Sequence, residues 1–472
     1  MKRPVRSVAA FLLAISASAA ALSTTSPARA EVDFDAKAKA AAQSLVIVDF
    51  TLRNENSSRE DSGQGILLNK EGVILISNSL ISESLPKEWI TEIKVRMPNK
   101  NFEAQPAKFL GRTRNRLFAY LKTEQPVDAT PFDPGQTSDI KLGEQVFSVS
   151  VSGQAGGYST FIGRSDIRVL LDLNRQLGGT ASFGLTRGNS PVYDVNTGNF
   201  VGITIPSPGD SMVLRDGGGA RRVELVDEEQ SSVFLPISEI GNALKDVPKE
   251  PFDLRRPWLA VDELTGLPED VRELRKISQP SGVMVGTVIP NEDADKAGLK
   301  ARDIILKVDD KEFSKNPVPE MMVMHFARIM DTKKPGDAVK LTVLRDGKSM
   351  DIPVVLSELP KSSGEMPHVF SPKVGLVTRD LVFGDLYARR LPQDTKGVVV
   401  ALVKTGSPAS LGGTPLRTGQ IITKVDDQPV ENQKQLVEIM KKYEDRTDLK
   451  EIVFVVIQGN GETQVCRVDM TK

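Results

Sequence analysis

Proton transfer and nucleophilic attack near neutral pH rest on few side-chain types, with histidine and cysteine at their head. In 472 residues this chain has two histidines, His325 and His368, and one cysteine, Cys466. Both histidines lie in the C-terminal third, and residues 31–250 contain none. A single cysteine excludes an internal disulfide and any zinc site built on several thiolates; Cys466 is expected as a small buried hydrophobe. Asp309-Asp310 and Asp426-Asp427 each close an apolar run and read as hairpin residues rather than metal ligands. Gly217-Gly218-Gly219 lacks the Lys-Ser/Thr and helix pattern that would make it a phosphate cradle. No metal and no cofactor are expected. His325, within Met321-Met322-Val323-Met324-His325-Phe326, is expected as a structural or solvent-facing helix residue, with the methionines mostly core.

The elements that would position any site are set out by the rest of the chain. Neither sign of charge is in excess: 61 Lys+Arg stand against 62 Asp+Glu, with 39% hydrophobic and 26% charged residues. That balance argues against a nucleic-acid binder, whose usual footprint is a basic domain. The length suggests about three domains. Lys2, Arg3 and Arg6 precede an Ala-rich apolar run from Val8 to Leu22, and Ala28-Arg29-Ala30 supplies small residues for cleavage before Glu31. This order reads as a secretory signal over residues 1–30, shorter and more Ser-diluted than a membrane anchor. Its loss removes four basic residues (Lys2, Arg3, Arg6, Arg29) and no acid, which moves the formal charge from −1 to −5. The mature chain is expected in the periplasm or secreted, with no transmembrane segment.

From Ser44 to Val247 short apolar runs alternate with turn residues. Leu45-Val46-Ile47-Val48, Gly65-Ile66-Leu67-Leu68, Gly72 to Ile76 and Val146 to Val151 read as strands, and many such strands suggest a barrel or sandwich. Asn196-Thr197-Gly198 reads as a hairpin turn, Ile237 to Val247 as a closing helix, and Pro206 to Gln230 as a mobile loop. Pro248-Lys249-Glu250-Pro251 marks a boundary. Beyond it, Leu299–Asp310 (LKARDIILKVDD) recurs as Leu416–Asp427 (LRTGQIITKVDD), offset by 117 residues with seven of twelve positions identical. Each copy follows an apolar strand (Val283 to Ile289; Val398 to Val403). Each precedes a helix-like segment (Pro319 to Met330; Gln433 to Tyr443) and a strand pair (Lys340 to Val355; Ile452 to Val468). Two copies make tandem domains rather than a solenoid.

This repeat resembles a PDZ domain of the bacterial circularly permuted type. Pro257-Trp258-Leu259-Ala260-Val261 stands at the place of the family's carboxylate-binding loop, and Pro290 with Ala297-Gly298-Leu299 matches its turn. In the second copy these are Lys373-Val374-Gly375-Leu376 and Gly406-Ser407-Pro408-Ala409. The resemblance implies β-augmentation, in which a peptide's extended C-terminus adds a strand and loop N–H groups hold its carboxylate. The implied peptide-binding residues are Leu259, Ala260 and Val261, and Val374, Gly375 and Leu376. The second copy keeps the loop glycine, Gly375; the first has Ala260.

The N-terminal region resembles the HtrA-type serine proteases, whose protease domain has the trypsin-like double-barrel fold. Gly63-Gln64-Gly65-Ile66-Leu67-Leu68 matches their G-S-G-F-I-I strand, Gly72 to Asn78 their G-Y-I-L-T-N, and Leu142-Gly143-Glu144-Gln145-Val146 their L-G-E-x-V. Gly111 to Lys122 matches their G-x-D-x-x-x-D-L-A-V-L-K, and Phe234-Leu235-Pro236-Ile237 leads to the last helix as theirs does. In this mechanism histidine takes the serine's proton and aspartate orients the histidine. Here Leu80 stands at the histidine's place and Leu117 at the aspartate's. G-N-S-G-G-P-L becomes Gly188-Asn189-Ser190-Pro191-Val192: anchored on G-N-S, Ser190 takes the nucleophile's place; anchored on the proline, Gly188 does. A serine without a base is a weak nucleophile, and no lysine stands where a Ser–Lys dyad would need it.

The chain is therefore read as mostly β: a signal peptide (1–30), a degenerate trypsin-like double β-barrel (31–247) and two PDZ-like α+β domains (253–358 and 370–472). Its expected work is to bind peptides or protein C-termini as an exported pseudoprotease with an adaptor, scaffold or chaperone-like role in protein quality control. Leu80, Leu117 and Ser190 are degenerate triad positions with no catalytic residue among them. The resemblance gives the barrels the role of rigid platform or oligomerisation surface. The alternative is an active serine endopeptidase of HtrA type with a non-standard site.

Overall fold

A computed structural model describes residues 33–471 apart from 99–101, 173–175, 182–183, 187, 206–211, 217–218, 224–230, 275, 279–280, 314–318, 412, 445 and 447. Residues 1–30, read above as a secretory signal, lie outside the described residues. Helix α1 (Phe34–Ala42) is the first element among the described residues, capped by Asp33, whose carboxylate accepts the Ala36 N–H at 3.0 Å. The strand-based reading, which starts at Ser44, contains no such helix. Its alanines are too small to mark an apolar face, yet Ala38, Ala41 and Ala42 are buried.

Six strands follow: β1 (Leu45–Arg53), β2 (Ser58–Leu67), β3 (Val73–Ser77), β4 (Ile90–Arg96), β5 (Ala104–Arg112) and β6 (Phe118–Thr123). They close into an antiparallel barrel in the order β1-β2-β3-β6-β5-β4. A second barrel is made by β7 (Gln145–Val151), β8 (Thr160–Asp172), β9 (Gln176–Ala181), β10 (Pro191–Asp194), β11 (Phe200–Thr204) and β14 (Ser231–Pro236). Between the last two, β12 (Met212–Asp216) pairs with β13 (Gly219–Val223), so this part of the expected loop is a hairpin. Helix α2 (Ile237–Lys245) closes the region.

The apolar runs are buried on both faces because each serves two cores, and the two-residue period of a strand divides them. Val46, Val48, Ile74, Ile76, Ala119 and Leu121 point into the first barrel. Their neighbours Leu45, Ile47, Val73, Leu75, Phe118 and Tyr120 point to the seam between the barrels. There they meet Phe147, Val149, Tyr193, Phe200 and Leu235. The seam is thus a third core, and Leu117 packs on its edge.

The first repeat unit holds β15 (Pro257–Trp258), β16 (Val261–Asp262), β17 (Thr265–Gly266), α3 (Glu269–Leu274), β18 (Val283–Met284), β19 (Thr287–Val288), α4 (Asp293–Lys296), β20 (Ile304–Val308), β21 (Lys311–Glu312), α5 (Pro319–Asp331), β22 (Ala338–Arg345), β23 (Lys348–Val355) and β24 (Ser357–Glu358). The apolar run Val283 to Ile289 is two short strands rather than one, because Val283-Met284 pairs with β17 and Thr287-Val288 with β16. The second unit holds β25 (Val369–Ser371), β26 (Leu376–Asp380), α6 (Phe383–Ala388), β27 (Val398–Val403), β28 (Ile421–Val425), β29 (Gln428–Pro429), α7 (Gln433–Glu444), β30 (Glu451–Ile457) and β31 (Thr463–Asp469). Each unit wraps its own apolar core. Cys466 is fully buried in the second core, and burial pushes its thiol pKa up. Among the described residues no helix is long and apolar enough to cross a membrane.

Candidate functional site

Leu80 follows β3 in a turn closed by its N–H on Ser77 O at 3.1 Å. Its side chain fills the space left by Gly63, where a Cβ would come within 2.5 Å of Leu80 Cδ1, and joins the core of the first barrel. Leu117 precedes β6; its carbonyl accepts the Asn78 N–H at 2.9 Å, and its side chain packs on the seam core. The fold therefore brings the two leucine-bearing segments together through backbone, with each side chain given to packing rather than to an acid–base relay.

Ser190 lies immediately before β10 and is fully buried. Gln64 Nε2 donates to its Oγ at 3.2 Å and to Asn189 O at 3.0 Å, while Gln64 Oε1 accepts the Val151 N–H at 2.8 Å. Gln64 belongs to the first barrel; the other three residues belong to the second. One amide side chain thus ties the barrels at the seam. Asn189, in the left-handed region at φ 62°, adds to the tie by donating to Leu75 O at 2.9 Å. The Ser190 N–H, which in triad hydrolases helps hold the oxyanion, is given to Thr204 Oγ1 at 2.9 Å, and Ser190 O accepts the Thr204 N–H at 2.8 Å. Among the described residues the serine hydroxyl meets an amide, which cannot take its proton. Gln64 was the legible signal: it stands where the resembled G-S-G strand has serine. Asn189 was visible only as part of the G-N-S match, and Thr204 gave no signal.

The histidines are elsewhere in the chain. His325 lies in α5, and its Nδ1 is buried without a hydrogen-bond partner among the described residues. His368 packs on Trp89 with ring centres 5.8 Å apart, places Nδ1 2.8 Å from Met366 O, and has its pKa lowered by burial. The aspartate pairs are hairpin residues. Asp309 and Asp310 both have positive φ in the turn between β20 and β21. Asp309 accepts Lys340 N at 2.8 Å and pairs with Lys333, and Asp426 accepts Val453 N at 2.9 Å. Among the described residues no group of histidine, cysteine, aspartate and glutamate could hold a metal ion. A cavity of about 660 Å³ on the outer wall of the first barrel is lined by Ile81, Phe109, Arg112, Arg116, Phe252 and Glu365 among others. Burial there lowers the Arg112 pKa to about 10.

The two loops read as carboxylate-binding differ. In the first unit Leu259 and Ala260 are buried, Ala260 takes φ 57°, and its carbonyl accepts Ile289 N at 3.0 Å. Val261 begins β16, half-buried. In the second unit Val374 and Leu376 are buried and Gly375 takes φ 80°. A Cβ at Gly375 would come within 2.1 Å of Ser407 Cβ, so only glycine fits. The resemblance implies an open amide at this loop. Instead the Gly375 N–H donates to Ser371 O at 2.9 Å.

A PDZ domain model matches residues 261–356. A probable periplasmic serine endoprotease DegP-like of Hahella chejuensis is 25% identical over 417 residues, covering 85% of this chain and 79% of its own length. A protein of the same name from Pseudomonas savastanoi pv. phaseolicola is 26% identical over 398 residues, covering 80% and 73%. Among solved structures, the HtrA-type protease AlgW with decapeptide superposes with a TM-score of 0.50 at 16% identity, covering 70% of this chain and all of that one. Two closed barrels on a shared seam, a PDZ match behind them and relatives that span most of the chain lead to one conclusion: the chain is similar to the HtrA-type serine endoproteases over most of its length.

Proposed function

We propose that this protein is a periplasmic HtrA-like pseudoprotease that binds peptides or protein C-termini through its PDZ-like units, with the joined barrels as a rigid platform. One observation carries the reading: the Ser190 hydroxyl is buried against the Gln64 amide, while leucines fill both partner positions and residues 31–250 hold no histidine. In a serine hydrolase, loss of a triad member costs about 10⁴-fold or more in kcat, and here two partners are absent. Peptide binding draws on the PDZ match at 261–356. Periplasmic placement draws on the relatives' names and on the N-terminal signal pattern.

The relatives' printed names favour a second reading, a working HtrA-type endopeptidase with a non-standard site. The two part on one measurement. A fluorophosphonate probe on the mature protein labels an active serine, and Ser190→Ala abolishes the label. The pseudoprotease reading expects no labelling and no casein cleavage across about pH 6 to 9, a range chosen around the ordinary histidine pKa. Labelling that depends on Ser190 overturns it.

A further inference from the structure

The two repeat units treat the strand at their loop in opposite ways. In the first, β15 turns away and pairs with β24 at the end of its own unit. Among the described residues, β16 and β17 carry partners on one edge alone, β19 and β18. In the second, β25 folds back on β26 as an antiparallel strand, with Val369 opposite Thr378, Phe370 opposite Val377 and Ser371 opposite Leu376. Strand β26 pairs along the same residues with β27, so β25 holds its other edge. Helix α7 touches both β25 and β26. Strand β25 therefore lies on the free edge of the loop-bearing strand with the helix against it, which is the edge a peptide takes in β-augmentation.

The ends of β25 are fastened. Downstream, Ser371 O accepts the Gly375 N–H at 2.9 Å, the contact a terminal carboxylate would make with such a loop. Lys373 Nζ reaches the carbonyls of Glu444 and Arg446 at 3.2 and 2.6 Å, at and beyond the end of α7, where the helix dipole favours a cation. Upstream, His368 packs on Trp89 of the first barrel, and Glu365 pairs with Arg255 at 2.7 Å.

We propose that Val369–Ser371 is the resident ligand of the second groove: it occupies the strand position of an incoming peptide, with Ser371 O in place of the terminal carboxylate. An outside peptide enters this groove only by displacing β25. The inference rests on reading the units as peptide binders. The short tether between β25 and β26 keeps the resident segment at an effective concentration of order millimolar or above. If the groove is free in about 1–10% of molecules, apparent affinity for an outside peptide falls roughly ten- to a hundredfold.

The test uses the full mature chain and a fluorescent decapeptide of its own residues Ser362–Ser371, ending in a free carboxylate. Three proteins are titrated: wild type, Phe370→Pro to unfasten β25, and Phe370→Cys/Val377→Cys, which joins directly opposed residues. Cys466 is fully buried and does not compete for the bridge. The expected result is at least about tenfold tighter binding to Phe370→Pro than to wild type, and oxidation of the double-cysteine protein abolishing even the weak wild-type binding. Amide exchange should rise over Leu376–Asp380 in Phe370→Pro while Ile421–Val425 stays protected, which reports both release and an intact unit. Wild-type binding as tight as that of Phe370→Pro shows an open groove; it overturns the inference and leaves peptide binding standing. Equal binding by all forms does the same. No binding by any form, with the exchange pattern intact, overturns both.

Discussion

The two repeat units share a twelve-residue signature, identical at seven positions, and solve its demands differently. At the aligned position before the central strand the first has Asp303 and the second Gln420. Each caps the N–H three residues upstream, Lys300 and Arg417, at 2.8 Å. Asp303 also takes a forked pair of bonds from Arg345 at 2.7 and 2.6 Å, which gives a buried carboxylate its counter-charge. Gln420 needs none and meets Gln464. The second unit has its own buried fork elsewhere, Arg379 on Asp385 at 2.6 and 2.8 Å. What the comparison teaches is that the repeat dictates backbone course, while charge placement and loop chemistry are free to diverge. The loops show this most clearly: both take a left-handed residue, glycine in one and alanine in the other.

The largest effect separating the units is expected at Gly375. Its positive φ and its contact with Ser407 make Gly375→Ala cost about 3 kcal/mol or more, from left-handed strain plus overpacking. Urea denaturation followed by amide exchange should locate the loss in the second unit and leave Ile304–Val308 of the first unchanged. An even loss across both units would break the comparison.

The fork in the second unit comes next. Burial raises the Asp385 pKa, but hydrogen bonds from Arg379 and Val382 N–H outweigh it, so the net shift is downward. A carboxylate held low in the folded state stabilises it fully above the unfolded value near 3.9, and that contribution is lost as pH falls through the folded pKa. Asp385→Asn should cost about 3 kcal/mol at pH 7 and flatten the acid limb of stability below about pH 4. A melting temperature that keeps its full acid dependence in the variant would remove Asp385 as the source.

The smallest effect is expected at Ala260. Glycine there relieves left-handed strain of about 1–2 kcal/mol but loses a buried methyl worth about 0.8 kcal/mol and adds unfolded-chain freedom worth roughly 0.4–1 kcal/mol. Ala260→Gly should therefore leave stability within about 0.5 kcal/mol of wild type. A loss above about 2 kcal/mol, beyond what an ordinary substitution costs, would mean that the methyl holds the loop. The two loops would then be built on different principles.

Much of the architecture was legible because periodicity and turn chemistry report it directly. Leu45 to Val48, Val73 to Ile76 and Val146 to Val151 are strands, and α2, α5 and α7 begin within the segments read as helices. Helix α1 escaped because its alanines give little contrast between an apolar face and a polar one, and the β12–β13 hairpin because its glycines and charges read as a loop. The site was legible in its residue types and not in its contacts. Leu80 and Leu117, read as triad positions from the resemblance, are packed side chains, yet the role of Gln64 depends on a partner 126 residues away.

By itself the sequence determined the chemistry the chain can hold: no histidine in the barrel region, one cysteine, a doubled signature and a loop glycine. These are matters of composition and local steric demand, and no folding alters them. Only the tertiary structure decided where hydrogen-bonding capacity is spent. It gave the Ser190 hydroxyl to Gln64 and the Gly375 N–H to Ser371, because a buried polar group must find a partner, and which partner is in reach depends on how the strands and loops of the folded chain are brought together.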